Sequence, residues 1–256
     1  MRIGLLFLAA ALPSMLVAEP RELCPTRPGL NTPPCVVDSG RLLAEVGIAD
    51  WTRDDSDGVR SDSIDLGQTL VRFALAPTTE MQIGWTAYSS RRMRDATGVT
   101  RMTGVGDVTL AVKQALGGGN GPVAIQFAVT APTGGDVGKG DWEGKVLLPL
   151  QFDLAKGVAL AATPEIDWRA NGSGNGHHYA YGSAAGLNLN LAKTITLSLE
   201  ASAMRDNDPD DAKTEVLSSA SLAWQPNDDT QVDVGVVKGV RAAPDIELYV
   251  GISRRF

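Results

Sequence analysis

Apolar side chains return at every second position in one short segment after another from Arg41 to Phe256, the period of a strand with a single apolar face. Val123, Ile125, Phe127 and Val129 alternate with Ala124, Gln126, Ala128 and Thr130. Val146 to Phe152, Ile195 to Ala201 and Ile246 to Ile252 repeat the pattern. Twelve such segments can be marked, at 41–51, 63–75, 81–89, 105–116, 122–131, 144–154, 158–168, 179–191, 195–204, 215–225, 231–238 and 246–256. No window past the first segment of the chain carries a 3.6-residue period, so helix does not organise this chain.

The links between segments alternate in length. Short links at 76–80, 117–121, 155–157, 192–194 and 226–230 are interleaved with long ones at 52–62, 90–104, 132–143, 169–178, 205–214 and 239–245. Strict alternation describes an up-and-down meander with one end trimmed and the other elaborated. Outer-membrane barrels have this asymmetry and an even strand number. A Greek-key sandwich has no reason for it. The fold expected is all-β, an up-and-down antiparallel transmembrane β-barrel of about twelve strands.

The two faces of these strands differ in charge. Glu45, Arg72, Asp107, Lys113, Lys145, Glu165, Asp167, Glu200, Asp233, Glu247 and Arg255 fall on the alternate face and are the candidates to line a lumen. The opposite face is Leu, Val, Ile and Phe. Periodicity alone does not say which face is inside, and a soluble barrel would bury the apolar one. Trp51, Trp85, Tyr88, Trp142, Trp168, Tyr179 and Tyr181 border long links, and Phe73, Phe152 and Trp224 border short turns. Two aromatic girdles are the mark of a membrane-spanning barrel. The alternation also runs to Phe256, which resembles the terminal aromatic insertion signal of bacterial outer-membrane proteins; Arg254 departs from that signal.

The N-terminal region reads separately. Met1-Arg2, the apolar run Ile3–Leu12 and the break at Pro13-Ser14 form a secretory signal peptide, with cleavage expected after Ala18. Residues 19–40 are a Pro-rich segment with the chain's two cysteines, Cys24 and Cys35, which an oxidising compartment would join in one disulfide. Residues 41–256 make the barrel. Lys and Arg number 23 against 30 Asp and Glu, for a net charge of −7, which argues against nucleic acid as a partner.

Other chemistry finds little support. Glu165 and Asp167 sit two apart on one strand face and would suit glycoside hydrolysis or simply line a channel. His177-His178 in a Gly-rich loop lacks further ligands for a metal site. The run Gly134 to Gly140 lacks the Ser/Thr and helix of a phosphate loop. Ser173 or Ser183 with His178 has nothing else of a lipase. Arg91, Arg92, Arg94 and Arg101 make one long link basic, as expected of a solvated loop touching anionic lipopolysaccharide. No catalytic residue, metal or cofactor is expected.

Several short motifs, taken in order, resemble a family of outer-membrane barrel proteins named for the meta-pathway of phenol degradation. They are Cys24-Pro25-Thr26-Arg27-Pro28 with Cys35 and Gly40-Arg41, Gly104-Val105-Gly106-Asp107, Pro132-Thr133-Gly134, Pro164-Glu165-Ile166-Asp167, and the ending Tyr249-Val250-Gly251-Ile252 to Phe256. The resemblance implies an outer-membrane protein that moves small organic molecules. Expected partners are outer-membrane lipid and lipopolysaccharide, the barrel-insertion machinery and a small-molecule solute, aromatic acids among the solutes to test. The expected function is a channel passing such molecules by diffusion through a charged lumen that loops or the Cys24–Cys35 segment could plug. A secreted all-β binding or hydrolytic protein, and a structural barrel that does not conduct, remain open alternatives.

Overall fold

The computed structural model describes residues 21–56 and 58–256. The signal peptide expected at 1–18 lies outside the described residues. The strands are β1 (Leu42–Ser56), β2 (Val59–Ala76), β3 (Thr79–Arg94), β4 (Val99–Gly104), β5 (Val108–Leu116), β6 (Val123–Ala131), β7 (Glu143–Leu147), β8 (Leu150–Ala155), β9 (Val158–Ala170), β10 (His177–Ala192), β11 (Ile195–Asp206), β12 (Lys213–Asn227), β13 (Thr230–Arg241) and β14 (Ile246–Arg255). All pairings are antiparallel. β1 pairs with β14 from Leu43↔Arg255 to Arg53↔Ile246, which closes the sheet on itself.

Two pairs of segments are single wall strands interrupted once. β4 and β5 both pair with β3, and β7 and β8 both pair with β9, so fourteen segments make a twelve-stranded barrel. Proline explains the second interruption. Pro149 has no N–H to give the ladder. Its carbonyl instead accepts from Ala124 N at 2.9 Å, while Leu148 N donates to Pro164 O at 2.9 Å, and the wall stays closed. At the first interruption Gly106 N donates to Thr86 O at 2.8 Å.

Strand parity sorts the chain into an inner and an outer surface. In β6, Ala124, Gln126 and Ala128 are buried, whereas Phe127 is 53% exposed and Val129 is exposed beside it. In β13, Gln231, Asp233, Gly235 and Val237 are buried and Val234 is exposed. Ile48, Leu75, Leu110, Phe152, Ile166 and Leu191 are likewise exposed, and Trp85, Tyr88, Trp142, Trp168, Tyr179, Tyr181 and Trp224 stand with them. Buried charges include Glu45, Arg72, Glu80, Lys113, Asp233 and Arg255. Among the described residues the buried hydrophobic cluster is only Leu23, Val37 and Leu43. Water would penalise this apolar outer surface; lipid does not, and a closed barrel leaves no strand edge unpaired in it. The protein is an outer-membrane β-barrel.

The elaborated end differs from the sequence expectation. Alternation stops at Trp51 and resumes at Ser63, but β1 and β2 stay paired to Ser56↔Val59, leaving a two-residue link. β3 and β4 form a hairpin through what reads as a long link, with Ser89↔Gly104 to Arg94↔Val99 in register. Beyond the lipid both strand faces meet water, so backbone pairing continues while the hydrophobic signal does not.

Candidate functional site: a plugged lumen

Residues 21–41 do not join the sheet. Pro25, Pro28, Pro33 and Pro34 deny it a strand's run of N–H donors. The segment instead crosses the inside of the barrel, pinched by the Cys24–Cys35 disulfide, with Cα atoms 6.5 Å apart. Its backbone groups need partners away from bulk water. Charged wall side chains supply them, carboxylates to N–H groups and cations to carbonyls.

Glu45 on β1 accepts from Thr26 N at 2.8 Å and Arg27 N at 3.0 Å. Glu80 on β3 accepts from Val37 N at 2.8 Å. Glu200 on β11 takes Leu30 N at 2.6 Å, Asn31 N at 3.2 Å and the Asn31 side chain at 2.8 Å. Thr163 on β9 accepts from Thr32 N at 3.0 Å. Arg72 on β2, fully buried, donates to Cys24 O at 2.8 Å and Cys35 O at 3.2 Å. Lys113 on β5 donates to Pro33 O and Cys35 O at 3.0 and 3.2 Å. On β13, Gln231 donates to Arg27 O at 2.7 Å. Arg255 on β14 donates to Arg21 O at 2.6 Å. Eight of the twelve wall strands therefore grip the segment.

The charges that grip it also neutralise one another. Arg72 pairs with Glu45 at 3.1 Å and Glu80 at 2.9 Å, and Lys113 lies 3.3 Å from Glu80. Arg27 of the plug pairs with Asp233 at 3.2 Å and lies over the Tyr249 ring, 5.2 Å from its centroid. Gly251 makes that seat possible, because a Cβ there would collide with the Arg27 guanidinium. Buried charges persist only when paired and hydrogen-bonded.

Space remains on both sides of the plug. A cavity of about 1010 Å³ lies between it, the wall from β8 to β13 and the short turns. Gln151, Asn188, Asn190, Ser198, Gln225 and Gln231 line it together with the charged Glu22, Arg27, Asp153, Lys156 and Glu200, so amides and hydroxyls are the larger part of its polar lining but not the whole. A second cavity of about 290 Å³ is bounded by Thr26, Arg27, Glu45, Gln68, Thr86 and Thr109.

The family model described as "Putative MetA-pathway of phenol degradation" matches residues 26–255, from the plug through the final strand. The chain belongs to that family. Among solved structures, the COG4313 outer membrane channel from Pseudomonas putida F1 superposes with a TM-score of 0.67 at 15% identity, covering 86% of this chain and 97% of that one. The beta domain of the Bordetella autotransporter BrkA gives 0.59 at 12% identity, covering 86% and 100%. The CymD monoaromatic hydrocarbon channel gives 0.51 at 7% identity, covering 86% and 89%. Likeness at these identities is likeness of fold, and a shared barrel does not transfer a function. No curated protein matches the sequence.

Within this family member the eleven side chains singled out from sequence fall into two groups. Glu45, Arg72, Lys113, Glu200, Asp233 and Arg255 touch the plug, as described. Asp107, Lys145, Glu165, Asp167 and Glu247 do not. Asp107 sits at the β4–β5 interruption and accepts from Gly134 N and Lys139 N, both at 2.6 Å, which ties down the loop after β6. Asp167 holds Arg169 at 2.6 Å, and Arg169 reaches Asp206 at 2.9 Å. Lys145 is exposed and is paired in register with Asp167; Glu165 is half-buried on the same face of β9. Glu247 lies opposite Thr52, one row from the Asp50↔Tyr249 pair, and Asp50 faces Asp65 across β1 and β2. An acidic wall results.

His177 stacks on Trp168 with ring centroids 3.7 Å apart, and His178 bonds Asn171 at 2.8 Å through Nδ1 and lies 2.7 Å from Asp206 through Nε2. Both histidines are thus tied into the wall of β9–β11. Sequence reasoning missed Glu80, which pairs with Arg72 and Lys113, because it fell inside a short link. Its parity with the inner residue Gln82 was the available signal. Arg27, Thr163 and Gln231 were missed too, being ordinary in sequence and brought to the plug only by barrel closure.

Proposed function

We propose that this protein is an outer-membrane channel that passes small, weakly polar organic molecules, aromatic ones among them, by diffusion, with the N-terminal segment setting the bore. The observation that carries this reading is a cavity inside a closed barrel, lined mainly by amides and hydroxyls, beside a plug whose Arg21, Arg27 and Asp38 are already paired. Amide and hydroxyl groups offer hydrogen bonds without holding an ion. Paired charges present little net field to a neutral solute. The acidic residues above the plug, Asp50, Asp65 and Glu247, favour cations over anions among any ions that enter. The family's description and the likeness to a channel named for monoaromatic hydrocarbons both support an aromatic solute.

Liposome swelling tests it. Vesicles containing the purified protein should swell in small neutral aromatic alcohols and amides, more slowly in aromatic acids, and scarcely in disaccharides. Absence of swelling in every solute, from protein that migrates as a folded barrel, would make it a non-conducting structural barrel. Recovery of the processed protein from the periplasm without detergent would instead return it to the secreted class.

A further inference from the structure

The outer surface carries one strongly basic patch, and its place relative to the lipid belt identifies what it holds. Register defines the face. Trp51, Ile64, Leu66 and Tyr88 share the outer side of β1, β2 and β3, and Ile64, Leu66 and Tyr88 are exposed. The next outward rows toward the elaborated end are Arg53↔Asp62↔Arg92↔Arg101 and Asp55↔Arg60↔Arg94. Each row lies about 7 Å above the one before. Five guanidinium groups thus stand against the carboxylates of Asp55 and Asp62, in a chain whose net charge is −7.

Internal pairing does not account for this concentration. Asp62 serves Arg53 at 2.9 Å and Arg60 at 3.1 Å. Arg53 also lies 4.7 Å from the centroid of the Trp51 ring, which fixes it at the edge of the apolar belt. Arg92, Arg94 and Arg101 have no carboxylate partner among the described residues. Arg92 lies directly opposite Arg101, and Arg94 directly opposite Arg60. Like charges directly opposed on one sheet face destabilise the pairing unless an anion sits between them.

We infer that this patch binds the phosphate groups of the phosphorylated glycolipid in the outer leaflet. Guanidinium groups match phosphate oxygens in geometry and charge. The patch begins immediately above the last apolar row, where acyl chains end and headgroups begin. Acyl chains would lie over Ile64, Leu66 and Tyr88 while the phosphates meet Arg92, Arg94 and Arg101. A soluble anion would have no use for the apolar rows below.

The test uses the full detergent-solubilised protein and three probes: lipid A with both phosphates, the same lipid A enzymatically dephosphorylated, and inorganic phosphate. Phosphorylated lipid A should bind with clear preference over the dephosphorylated form. The triple variant R92Q/R94Q/R101Q, checked for heat-modifiable migration, should lose about a hundredfold in affinity for it, at about tenfold or less per guanidinium. Equal binding of the two lipid forms by the unaltered protein overturns the inference and needs no variant. Displacement of the lipid by millimolar inorganic phosphate overturns it in favour of a free-anion site. An unchanged affinity in the folded triple variant overturns it as well.

Discussion

The two halves of the lumen use the same residue types for different ends. Toward the short turns, Glu45, Arg72, Glu80 and Lys113 are buried and saturated by each other and by the plug backbone. Toward the elaborated end, Asp50, Asp65 and Glu247 share one wall without a cation seated among them comparable to Arg72. The first set behaves as a socket for a polypeptide segment. The second set faces water and whatever passes. An inward charge in a barrel is therefore not by itself a selectivity element; what matters is whether a backbone group has already claimed it.

That contrast can be broken in either half. Arg72→Ala should have the largest effect. It strands Glu45 and Glu80 as buried anions and frees the Cys24 and Cys35 carbonyls, which should cost about 3–5 kcal/mol. The midpoint of heat-modifiable migration, or urea unfolding in detergent, reads the loss. The Cys24→Ser/Cys35→Ser pair comes next. The two cysteines are eleven positions apart, and opening so short a loop should cost about 2–3 kcal/mol. That loss should fall on the plug: protease cleavage within residues 21–41 should speed up while the barrel keeps its melting behaviour.

In the upper half, Asp50→Asn with Glu247→Gln should leave stability within about 0.5 kcal/mol, since neither residue holds the plug. Reversal potentials under a salt gradient should show reduced preference for cations. Asp229→Asn should do least. Asp229 lies in a short turn, and the hydrogen bond from Arg255 holds its carboxyl below the ordinary 3.8. A depressed carboxyl stabilises the fold above its unfolded value and ceases to as pH falls through its lower folded value. The variant should therefore match the parent below that range and fall slightly behind above it, by less than about 0.5 kcal/mol, because the Asp229 carboxylate is itself 38% exposed although Arg255 is buried.

The sequence announced the fold wherever lipid imposes a demand. Phe127, Val129, Ile166 and Val234 recur with period two because the other side of the wall is a lumen. Beyond Trp51 and Tyr88 that demand ends, and strands such as Arg91–Arg94 read as loop although they remain paired. The Pro149 interruption stayed hidden inside a segment whose outward positions, Val146, Leu148 and Phe152, keep the alternation. The socket was half legible. Glu45, Arg72 and Lys113 stand out as charges at inner parity, yet their partners come from far along the chain. Leu30 meets Glu200 across 170 positions and Arg27 meets Asp233 across 206, distances that only barrel closure removes.

Single-channel conductance of the purified protein in planar bilayers, compared with that of Arg72→Met, bears most directly on the plugged-lumen account. Methionine fills the volume of the arginine stem but donates nothing to Cys24 O, Cys35 O, Glu45 or Glu80. The account predicts a small, quiet conductance for the parent, and severalfold larger, fluctuating openings for a variant that still migrates as a folded barrel. Identical conductance in the two folded proteins would contradict it.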